Sequence, residues 1–364
     1  MELGKKKRIA VICDYRLLPE RVGGMDRFFW RYDERAKELG HTVDWFFPNS
    51  AQHGEYPKLK ITAAKETSLE NCFIKQLVKD NSEYDYIITH FMELCTPFFK
   101  QIKKALPLAK VIVVDHNPRP IGGYPFKKRW QKRIKGWWYS RYIDSFVGVS
   151  KYTVSELLND FGNQIQKKCE VIYNGIDTDQ YKRQAERRKI YPTFVMASHL
   201  RFSKGIQDLV AAIALWPMEQ RENLKIDIYG DGPYRVELEK QIQEQQLEAN
   251  IHVKGSVANL NETYAQYDYM IQPTHMECFS LAILESLCAN VPVITTPVGG
   301  NEEVVQHGVN GFIVPVANSK ELSRLIGLVY KGDLKITKEV SETIRMDFDI
   351  ETMVDNHIKQ IGSL

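Results

Sequence analysis

Short runs rich in β-branched residues alternate with helical apolar patterns along the whole chain. Most of these runs are apolar on both faces, which is typical of parallel strands buried between layers of helices. The predicted strands are Arg8–Cys13, Thr42–Phe47, Tyr86–Thr89, Lys110–Val114, Ser145–Val149, Glu170–Tyr173, Thr193–Ala197, Lys225–Tyr229, Ile251–Lys254, Tyr269–Gln272, Val291–Thr295 and Gly311–Val314. This alternation predicts right-handed βαβ units, and therefore an α/β fold with two doubly wound, Rossmann-like sheets.

The length of 364 residues is too great for one ordinary core and suits two domains. The polar stretch Asn174–Arg188 separates the halves, so we expect an N-terminal domain of residues 1–175 and a C-terminal domain of residues 176–345. Residues 346–364 end in a segment with helical apolar spacing, and we expect them to return to the N-terminal domain. Ligands of doubly wound sheets bind beyond the carboxyl ends of the strands, so functional side chains should follow strands.

Composition narrows the class of protein. Hydrophobic residues at 43%, charged residues at 26% and a net charge of +3 describe a globular chain rather than a nucleic-acid binder. The six cysteines lack C-x-x-C spacing, which favours reduced thiols and a cytosolic protein over a disulfide framework or a zinc site. The apolar run Ile9–Cys13 is too short for a signal peptide, and no segment approaches the ~18 apolar residues of a membrane span.

Two carboxylates, Glu277 and Glu285, stand eight positions apart around a predicted helix start at residues 280–282. N–H groups at a helix start suit a phosphate, whereas carboxylates accept hydrogen bonds from sugar hydroxyls. The combination indicates a nucleotide-sugar, in which a diphosphate lies between two sugars. A lone pair of acids at this spacing is more often solvated, and the surrounding motifs favour the functional interpretation.

Further candidates follow other predicted strands. His199, Arg201 and Lys204 form a basic loop, where a cation would neutralise charge on a leaving diphosphate; a solvated loop is the alternative. The turn at residues 230–232 should lead into a helix with Pro233 in its first turn. A structural turn is the favoured interpretation, and a position of Gly230 near the nucleotide is the alternative.

Two candidates lie in the first half. Gly23 and Gly24 let backbone N–H groups approach a phosphate or sugar, although a plain loop is equally consistent, and they precede a helix whose apolar face should include Phe28 and Leu39. His116 follows a buried strand and should face the ligand, unless it is a structural histidine.

In this order, the elements resemble the family-4 retaining glycosyltransferases of GT-B architecture, also described as glycosyltransferases group 1. The resemblance covers nearly the whole chain. It rests on the Gly23-Gly24 loop, His116, the Val171–Asp177 hinge, Lys204-Gly205, Gly230-Asp231-Gly232, Gly255, and Glu277 and Glu285 followed by Pro292-Val293. It implies a GT-B fold with two Rossmann-like domains facing an interdomain cleft, and a hexosyltransferase or related glycosyltransferase of cell-surface polysaccharide synthesis.

The resemblance also implies roles for individual residues. Glu277 would hold donor-sugar hydroxyls, Glu285 the nucleotide ribose, and His116 would line the sugar site. Lys204 and the N–H groups of Ser280 and Leu281 would bind the diphosphate. The candidate catalytic residues are therefore His116, Lys204 and Glu277, and the candidate donor-binding residues are Gly23, Gly24, His199, Arg201, Lys204, Gly230, Ser280, Leu281 and Glu285.

The chain departs from the family pattern at two places. His199 stands where the family usually has arginine, and residues 277–280 read Glu-Cys-Phe-Ser where Glu-Gly-Phe-Gly is common. Two Asp-x-Asp strings, at residues 177–179 and 347–349, belong to the hinge and the final segment, so we interpret both as structural. We therefore expect no metal and no cofactor. Family frequency favours a UDP-sugar over a GDP-sugar, and retention of configuration is implied by the resemblance.

Residues 116–143 contain no acid, eight Lys or Arg, and seven aromatic residues. Cations with Trp and Tyr suit an anionic membrane interface. The candidates for membrane and acceptor contact are Lys127, Lys128, Arg129, Trp130, Lys132, Arg133, Trp137 and Trp138. A solvated helix whose aromatics pack on the first domain is the alternative, and nucleic acid is least favoured because no binding motif is present.

The sequence thus predicts a cytoplasmic, metal-independent glycosyltransferase that is peripheral at the inner face of a membrane. Its partners would be a nucleotide-sugar donor and a glycan or lipid-pyrophosphate-linked acceptor, with no nucleic acid. A nucleotide-sugar epimerase of similar fold is the nearest rival, and it would need an acid–base pair but no acceptor site. A catalytically inactive protein that binds sugar nucleotides is a third possibility.

Overall fold

The computed structural model describes residues 6–19, 22–185 and 191–364, and it divides the chain into two compact units. Unit 1 runs to Gly175 and also contains Ile350–Leu364, whereas unit 2 is Ile176–Asp349. Residues 346–349, predicted to return to the N-terminal domain, belong to unit 2. Phe348 packs against Phe279, and the Asp349 carboxylate accepts a hydrogen bond of 2.5 Å from the Thr178 hydroxyl.

Unit 1 is built on a seven-stranded parallel sheet with the strand order β3-β2-β1-β4-β5-β6-β7. Its strands are β1 Arg8–Cys13, β2 Thr42–Phe47, β3 Lys60–Ala63, β4 Tyr86–His90, β5 Lys110–Asp115, β6 Ser145–Gly148 and β7 Cys169–Val171. The helices up to the hinge are α1 Gly24–Glu38, α2 Leu69–Asp80, α3 Pro97–Ala105, α4 Phe126–Tyr139 and α5 Lys151–Phe161. The chain winds to one side of β1 and then to the other, so this sheet is doubly wound. Leu39, expected on the apolar face of α1, lies just beyond its end.

Unit 2 carries a six-stranded parallel sheet with the order β10-β9-β8-β11-β12-β13. Its strands are β8 Thr193–Ala197, β9 Lys225–Tyr229, β10 Ile251–Gly255, β11 Tyr269–Gln272, β12 Val293–Thr295 and β13 Gly311–Ile313. Its helices are α6 Ile206–Ala214, α7 Arg235–Glu244, α8 Leu260–Thr263, α9 Leu281–Cys288, α10 Asn301–Val304, α11 Ser319–Lys331 and α12 Glu342–Asp347. The last helix, α13 Ile350–Ser363, returns to unit 1 and packs on α1.

The prediction of two doubly wound parallel sheets is confirmed. One helix start was misplaced, because α7 begins at Arg235 and Pro233 stands before its first turn. The six cysteines are free thiols, as predicted. Within the described ranges, the structure contains no helix with the length and apolar content needed to cross a membrane.

In unit 2 the winding direction reverses between β8 and β11, which are hydrogen-bonded neighbours. At such a switch point, the loops that leave the carboxyl ends of the two strands diverge and open a crevice for a ligand. The fold therefore predicts a ligand site at the loops that follow β8 and β11.

Candidate functional site

The loops after β8 and β11 meet at the switch point of the unit 2 sheet. The carbonyl oxygen of Ser203 accepts a hydrogen bond of 2.8 Å from the His275 N–H. It also accepts one of 3.1 Å from the Thr274 hydroxyl. These contacts bring the predicted basic loop and the Glu277 segment together.

Lys204 and Glu277, 73 positions apart in sequence, form an ion pair in which Nζ lies 2.6 Å from Oε2. Their side chains are 21% and 17% exposed, so the pair is largely shielded but reachable from solvent. An ammonium group has three N–H donors, and one carboxylate does not use them all. Lys204 is thus placed to hold an anion beside Glu277.

Two glycines allow the close approach of these backbones. Gly205 has a φ of +71°, and a Cβ there would lie 1.8 Å from the Pro273 carbonyl oxygen. Gly230 has a φ of +124°, and a Cβ there would lie 1.9 Å from the Ser198 carbonyl oxygen. Gly230 therefore has a packing role against the β8 loop, and its predicted contact with the donor stays a prediction.

The start of α9 lies at the end of the β11 loop, with Ser280 as its N-cap. The Ser280 hydroxyl donates to Gln272 Oε1 at 3.0 Å and makes no capping bond to the helix. The side chain that replaces the family's glycine is therefore buried against the end of β11. The first turn of α9 contains no acidic residue, so its N–H groups, including that of Leu281, keep the positive character that suits a phosphate.

Glu285 lies one turn into α9, and its Oε2 accepts a hydrogen bond of 3.0 Å from the Tyr264 hydroxyl. Burial raises the pKa of Tyr264 well above its ordinary value, and the neighbouring Glu285 charge adds to this effect. The phenol therefore stays protonated, and as a hydrogen-bond donor it orients the Glu285 carboxylate. Sequence reasoning missed Tyr264, because nothing in its neighbourhood distinguishes it from other tyrosines.

The remaining basic candidates differ in their surroundings. His199 and Arg201 are exposed. His199 lies close to Asp231, whose pKa is lowered chiefly by the Gly232 N–H and the Arg235 guanidinium, with a smaller contribution from His199. Arg201 forms no ion pair with any residue in the described ranges. It is therefore the better placed of the two to supply the charge that the family's arginine would carry.

A histidine that sequence reasoning missed anchors the β11 loop. His275 Nε2 lies 2.5 Å from Asp208 Oδ2, and both side chains are largely buried. Asp208 belongs to the first turn of α6, while the His275 ring stands edge-on to Phe202. The pair holds the loop carrying Glu277 against the helix that follows Lys204.

The Asp-x-Asp strings make structural contacts. Asp349 accepts hydrogen bonds from Thr178, and Asp177 accepts one from the Gln180 amide. Within the described ranges, no group of three or more His, Cys, Asp or Glu is arranged to hold a metal ion.

In unit 1, Gly23 caps α1, and Gly24 is the first residue of that helix. The Gly23 N–H donates to the Asp26 carboxylate at 2.9 Å, so this group is engaged within unit 1 rather than open to a ligand. Asp26 is fully buried and also accepts hydrogen bonds from the hydroxyls of Tyr15 and Tyr56. A Cβ on Gly23 would meet no atom within 4 Å, so this side of the loop has open space.

His116 directly follows β5 and lies 3.0 Å, Nε2 to Nδ1, from His90 at the end of β4. Its ring stacks on Phe91 with centroids 4.3 Å apart. Burial lowers the pKa of His116 to about 3, with a smaller effect from His357, so the ring is neutral at physiological pH. Sequence reasoning missed His90 because the predicted strand ended one residue too early.

All eight candidates for membrane contact lie on α4. Lys132 is partly buried and pairs with Asp160 at 3.0 Å, whereas the other seven are exposed. The alternative in which the aromatics pack on the first domain holds for Tyr139 and Tyr142, which pack against the core of unit 1. It does not hold for Trp130, Trp137 and Trp138, which are all more than half exposed.

Two family profiles match the chain. Glycosyltransferase Family 4 matches residues 22–180, and Glycosyl transferases group 1 matches residues 177–345, so the two matches together extend from residue 22 to residue 345. The chain belongs to the family-4, group 1 glycosyltransferases. The predicted family is therefore confirmed, and with it the class of transferase enzymes.

Curated relatives match parts of this chain. The UDP-N-acetylglucosamine–peptide N-acetylglucosaminyltransferase GtfA subunit of Streptococcus gordonii is 32% identical over 186 residues, which cover 50% of this chain and 36% of that protein. The GDP-mannose-dependent alpha-(1-6)-phosphatidylinositol monomannoside mannosyltransferase of Mycobacterium tuberculosis is 32% identical over 191 residues, which cover 47% of this chain and 48% of that protein. The aligned part of the chain thus spans less than half the length of either relative.

A solved structure matches the fold throughout. The crystal structure of Anabaena HepE in complex with UDP and glucose superposes with a TM-score of 0.77 at 20% sequence identity. The match covers 99% of this chain and 100% of that one. Together with the two parallel sheets, this similarity confirms the predicted GT-B fold class.

Proposed function

We propose that this glycosyltransferase moves a sugar from a nucleotide-sugar to a glycan or to a lipid-linked saccharide acceptor in cell-surface polysaccharide synthesis. The observation that carries the proposal is the Lys204–Glu277 ion pair at the switch point of unit 2. It supplies a cation for a diphosphate beside a carboxylate for sugar hydroxyls. Glu277, the start of α9 and Glu285 follow one another in the chain, in the same order as the sugar, the diphosphate and the ribose of such a donor.

Each part of the donor then has a partner in unit 2. Lys204 and the N–H groups of Ser280 and Leu281 bind the diphosphate, and Arg201 adds positive charge at the rim of the site. Glu277 accepts hydrogen bonds from the donor sugar. Glu285, held by Tyr264, accepts them from the ribose.

Charge stabilisation is the main task of the protein in such a transfer, since the nucleoside diphosphate is already a good leaving group. The bond between the anomeric carbon and the diphosphate oxygen breaks, and its electron pair leaves with the diphosphate. The acceptor hydroxyl bonds to the anomeric carbon from the same face, and its proton passes to the departing phosphate oxygen. Configuration is thereby retained without a covalent enzyme intermediate. His116, neutral in the folded protein, would act as an uncharged hydrogen-bonding group.

UDP is the favoured nucleotide of the donor. The S. gordonii relative is named for UDP-N-acetylglucosamine, and HepE was crystallised with UDP. The M. tuberculosis relative is named for GDP-mannose, so the base must be tested directly. On the acceptor side, we propose that the enzyme meets a lipid-pyrophosphate-linked saccharide as a cytoplasmic protein, peripheral at an anionic membrane surface.

Thermal unfolding of the full chain with UDP, GDP and their sugar conjugates, with and without chelator, tests the donor site. A ligand that binds only the folded state raises the Tm. We expect UDP and one UDP-sugar to raise the Tm of the wild type and of Lys240→Ala, an exposed lysine on α7, but not of Lys204→Ala. No shift with any nucleotide would overturn the proposal, and binding without sugar transfer would favour an inactive sugar-nucleotide-binding protein.

A further inference from the structure

The side of α4 that faces solvent is an apolar stripe. Phe126, Trp130, Ile134, Trp137 and Trp138 recur every three or four positions, so they share one side of the helix. Phe126, Trp130 and Trp137 are 79%, 61% and 63% exposed. A surface helix of a globular protein ordinarily turns its apolar stripe inward, and α4 does the reverse.

The packing of α4 on α5 explains this orientation. Gly136 is buried, and a Cβ there would lie 2.3 Å from the carbonyl oxygen of Phe161 at the end of α5. One turn earlier, Lys132 Nζ lies 3.0 Å from Asp160 Oδ2 and 5.0 Å from the centre of the Phe161 ring. Helix α4 therefore packs on α5 through Gly136 and Lys132, and its aromatic side faces solvent.

Asp160, which pairs with Lys132 of α4, also contacts the loop that carries His116. Asp160 Oδ2 forms an ion pair with Arg119, whose Nε lies 2.8 Å away, and Arg119 pairs with Asp115 at 2.8 Å. Asp115, Arg119 and Asp160 are all nearly inaccessible to solvent. A buried network of this kind fixes the stripe relative to the His116 loop within unit 1.

Positive charge borders the stripe. At 100° per residue, Arg129 and Arg133 lie along one edge of the stripe, and Lys127 lies at the opposite edge. All three side chains are exposed. Residues 116–143 contain no acid that would neutralise these cations. Among the residues that the structure describes, Lys127, Arg129 and Arg133 have no ion-pair partner, so the surface combines exposed Trp and Phe with unpaired cations.

We propose that the outward side of α4 docks on the surface of an anionic phospholipid bilayer. The helix would lie in the plane of the interface, with the stripe among the acyl chains and the cations on the headgroup phosphates. A second copy of this face would bring like charges together, so charge complementarity favours the bilayer over self-association. The inference rests on the proposed function, because it names the surface that meets the lipid-linked acceptor.

Vesicle flotation of the full chain tests this docking. Vesicles of phosphatidylcholine alone are compared with vesicles that also contain phosphatidylglycerol, at low and high salt. We expect the wild type to float with the anionic vesicles and to be released by salt. Arg129→Gln/Arg133→Gln should weaken this binding about thirtyfold, since each cation near an anionic surface contributes about a factor of five.

The charge control is Lys100→Gln/Lys104→Gln, a double change of exposed lysines on α3 that should leave binding unchanged. Trp130→Ala/Trp137→Ala should reduce binding to anionic vesicles at every salt concentration, whereas Leu108→Ala, an exposed apolar residue outside α4, should not. All substituted residues are exposed, so the variants should keep the wild-type Tm.

Three outcomes would overturn the docking proposal. They are no binding to either vesicle, equal binding by the α4 variants and their controls, or a concentration-dependent dimer that both α4 double variants abolish in the absence of vesicle binding. The nucleotide-induced Tm shift is measured on the same samples. Loss of vesicle binding with that shift intact removes only the docking, and vesicle binding without the shift removes only the proposed donor site.

Discussion

Among single residues, the Lys204–Glu277 ion pair is the central feature of the proposed donor site. Lys204 Nζ lies 2.6 Å from Glu277 Oε2, so each side chain holds the other in position. Electrostatic stabilisation is most effective when the charges are already in place as the reaction begins. A pair that acts as one unit should also show coupled effects when its members are changed.

We therefore expect Lys204→Ala and Glu277→Ala each to lower turnover by about 10²–10³, the usual cost of one lost charge-stabilising contact. The double variant should lose much less than the product of the two single losses, because residues in contact are not additive. Steady-state kinetics of sugar transfer measure this, with Lys240→Ala and Glu244→Ala, an exposed ion pair on α7, as controls. Near-wild-type rates in either single variant would show that the donor site lies elsewhere.

The loops that carry the candidate residues were predictable, whereas several contacts of those residues were not. Lys204 was singled out because it follows a buried strand, and Glu277 because it stands eight positions before Glu285 at a predicted helix start. Such patterns indicate where a side chain begins but not which atom it contacts. His275, Asp208 and Tyr264 were missed because their roles depend on partners 67 and 21 positions away. Such pairings arise only when the strands have been placed side by side.

At the scale of secondary-structure elements, strands with two apolar faces were the easiest to predict. Twelve of the thirteen described strands were predicted, with small shifts at their ends. The exception, β3, is an edge strand of four residues that pairs with β2 alone and has no apolar run. The orientation of α4 was not predictable, because its apolar spacing indicates a face but not which face packs. The packing face is set by Gly136 and Lys132 on the opposite side of α4, which contact Phe161 and Asp160 of α5.

The contact between the β8 and β11 loops depends on the absence of a side chain at Gly205. Gly205 and Gly308 have similar φ angles, +71° and +77°, but a Cβ on Gly308 would meet nothing within 4 Å. An Ala at either position costs about 1–2 kcal/mol for the left-handed backbone, and only Gly205→Ala must also displace Pro273. We expect Gly205→Ala to lower the Tm more than Gly308→Ala and to lose the nucleotide-induced shift. Equal losses of Tm with the shift retained would show that the loop contact is dispensable.

At the scale of the whole molecule, the return of α13 to unit 1 creates a cluster of buried histidines. His357 on α13 packs against Phe28 and His90, with ring centroids 5.1 Å and 6.0 Å apart, and His90 contacts His116. Burial lowers the pKa of His116 and of His357 to about 3 and lowers the pKa of His90 well below its ordinary value. Helix α13 is therefore joined to α1 and to the end of β4 through buried rings, and the histidines among them are uncharged near neutral pH.

This cluster predicts that unit 1 loses stability as the pH falls below about 6.5. These histidines take up a proton near their ordinary pKa of 6.5 in the unfolded chain but not in the folded chain. Each therefore lowers the free energy of unfolding by up to about 1.4 kcal/mol for every pH unit below 6.5, until its folded pKa is reached. Urea unfolding between pH 7 and pH 5, followed by tryptophan fluorescence, measures the slope, because five of the six tryptophans lie in unit 1. His357→Phe, which keeps an aromatic ring beside Phe28, should reduce the proton uptake on unfolding by up to one. An identical slope in His357→Phe and the wild type would show that the histidine on α13 does not control the acid sensitivity of unit 1.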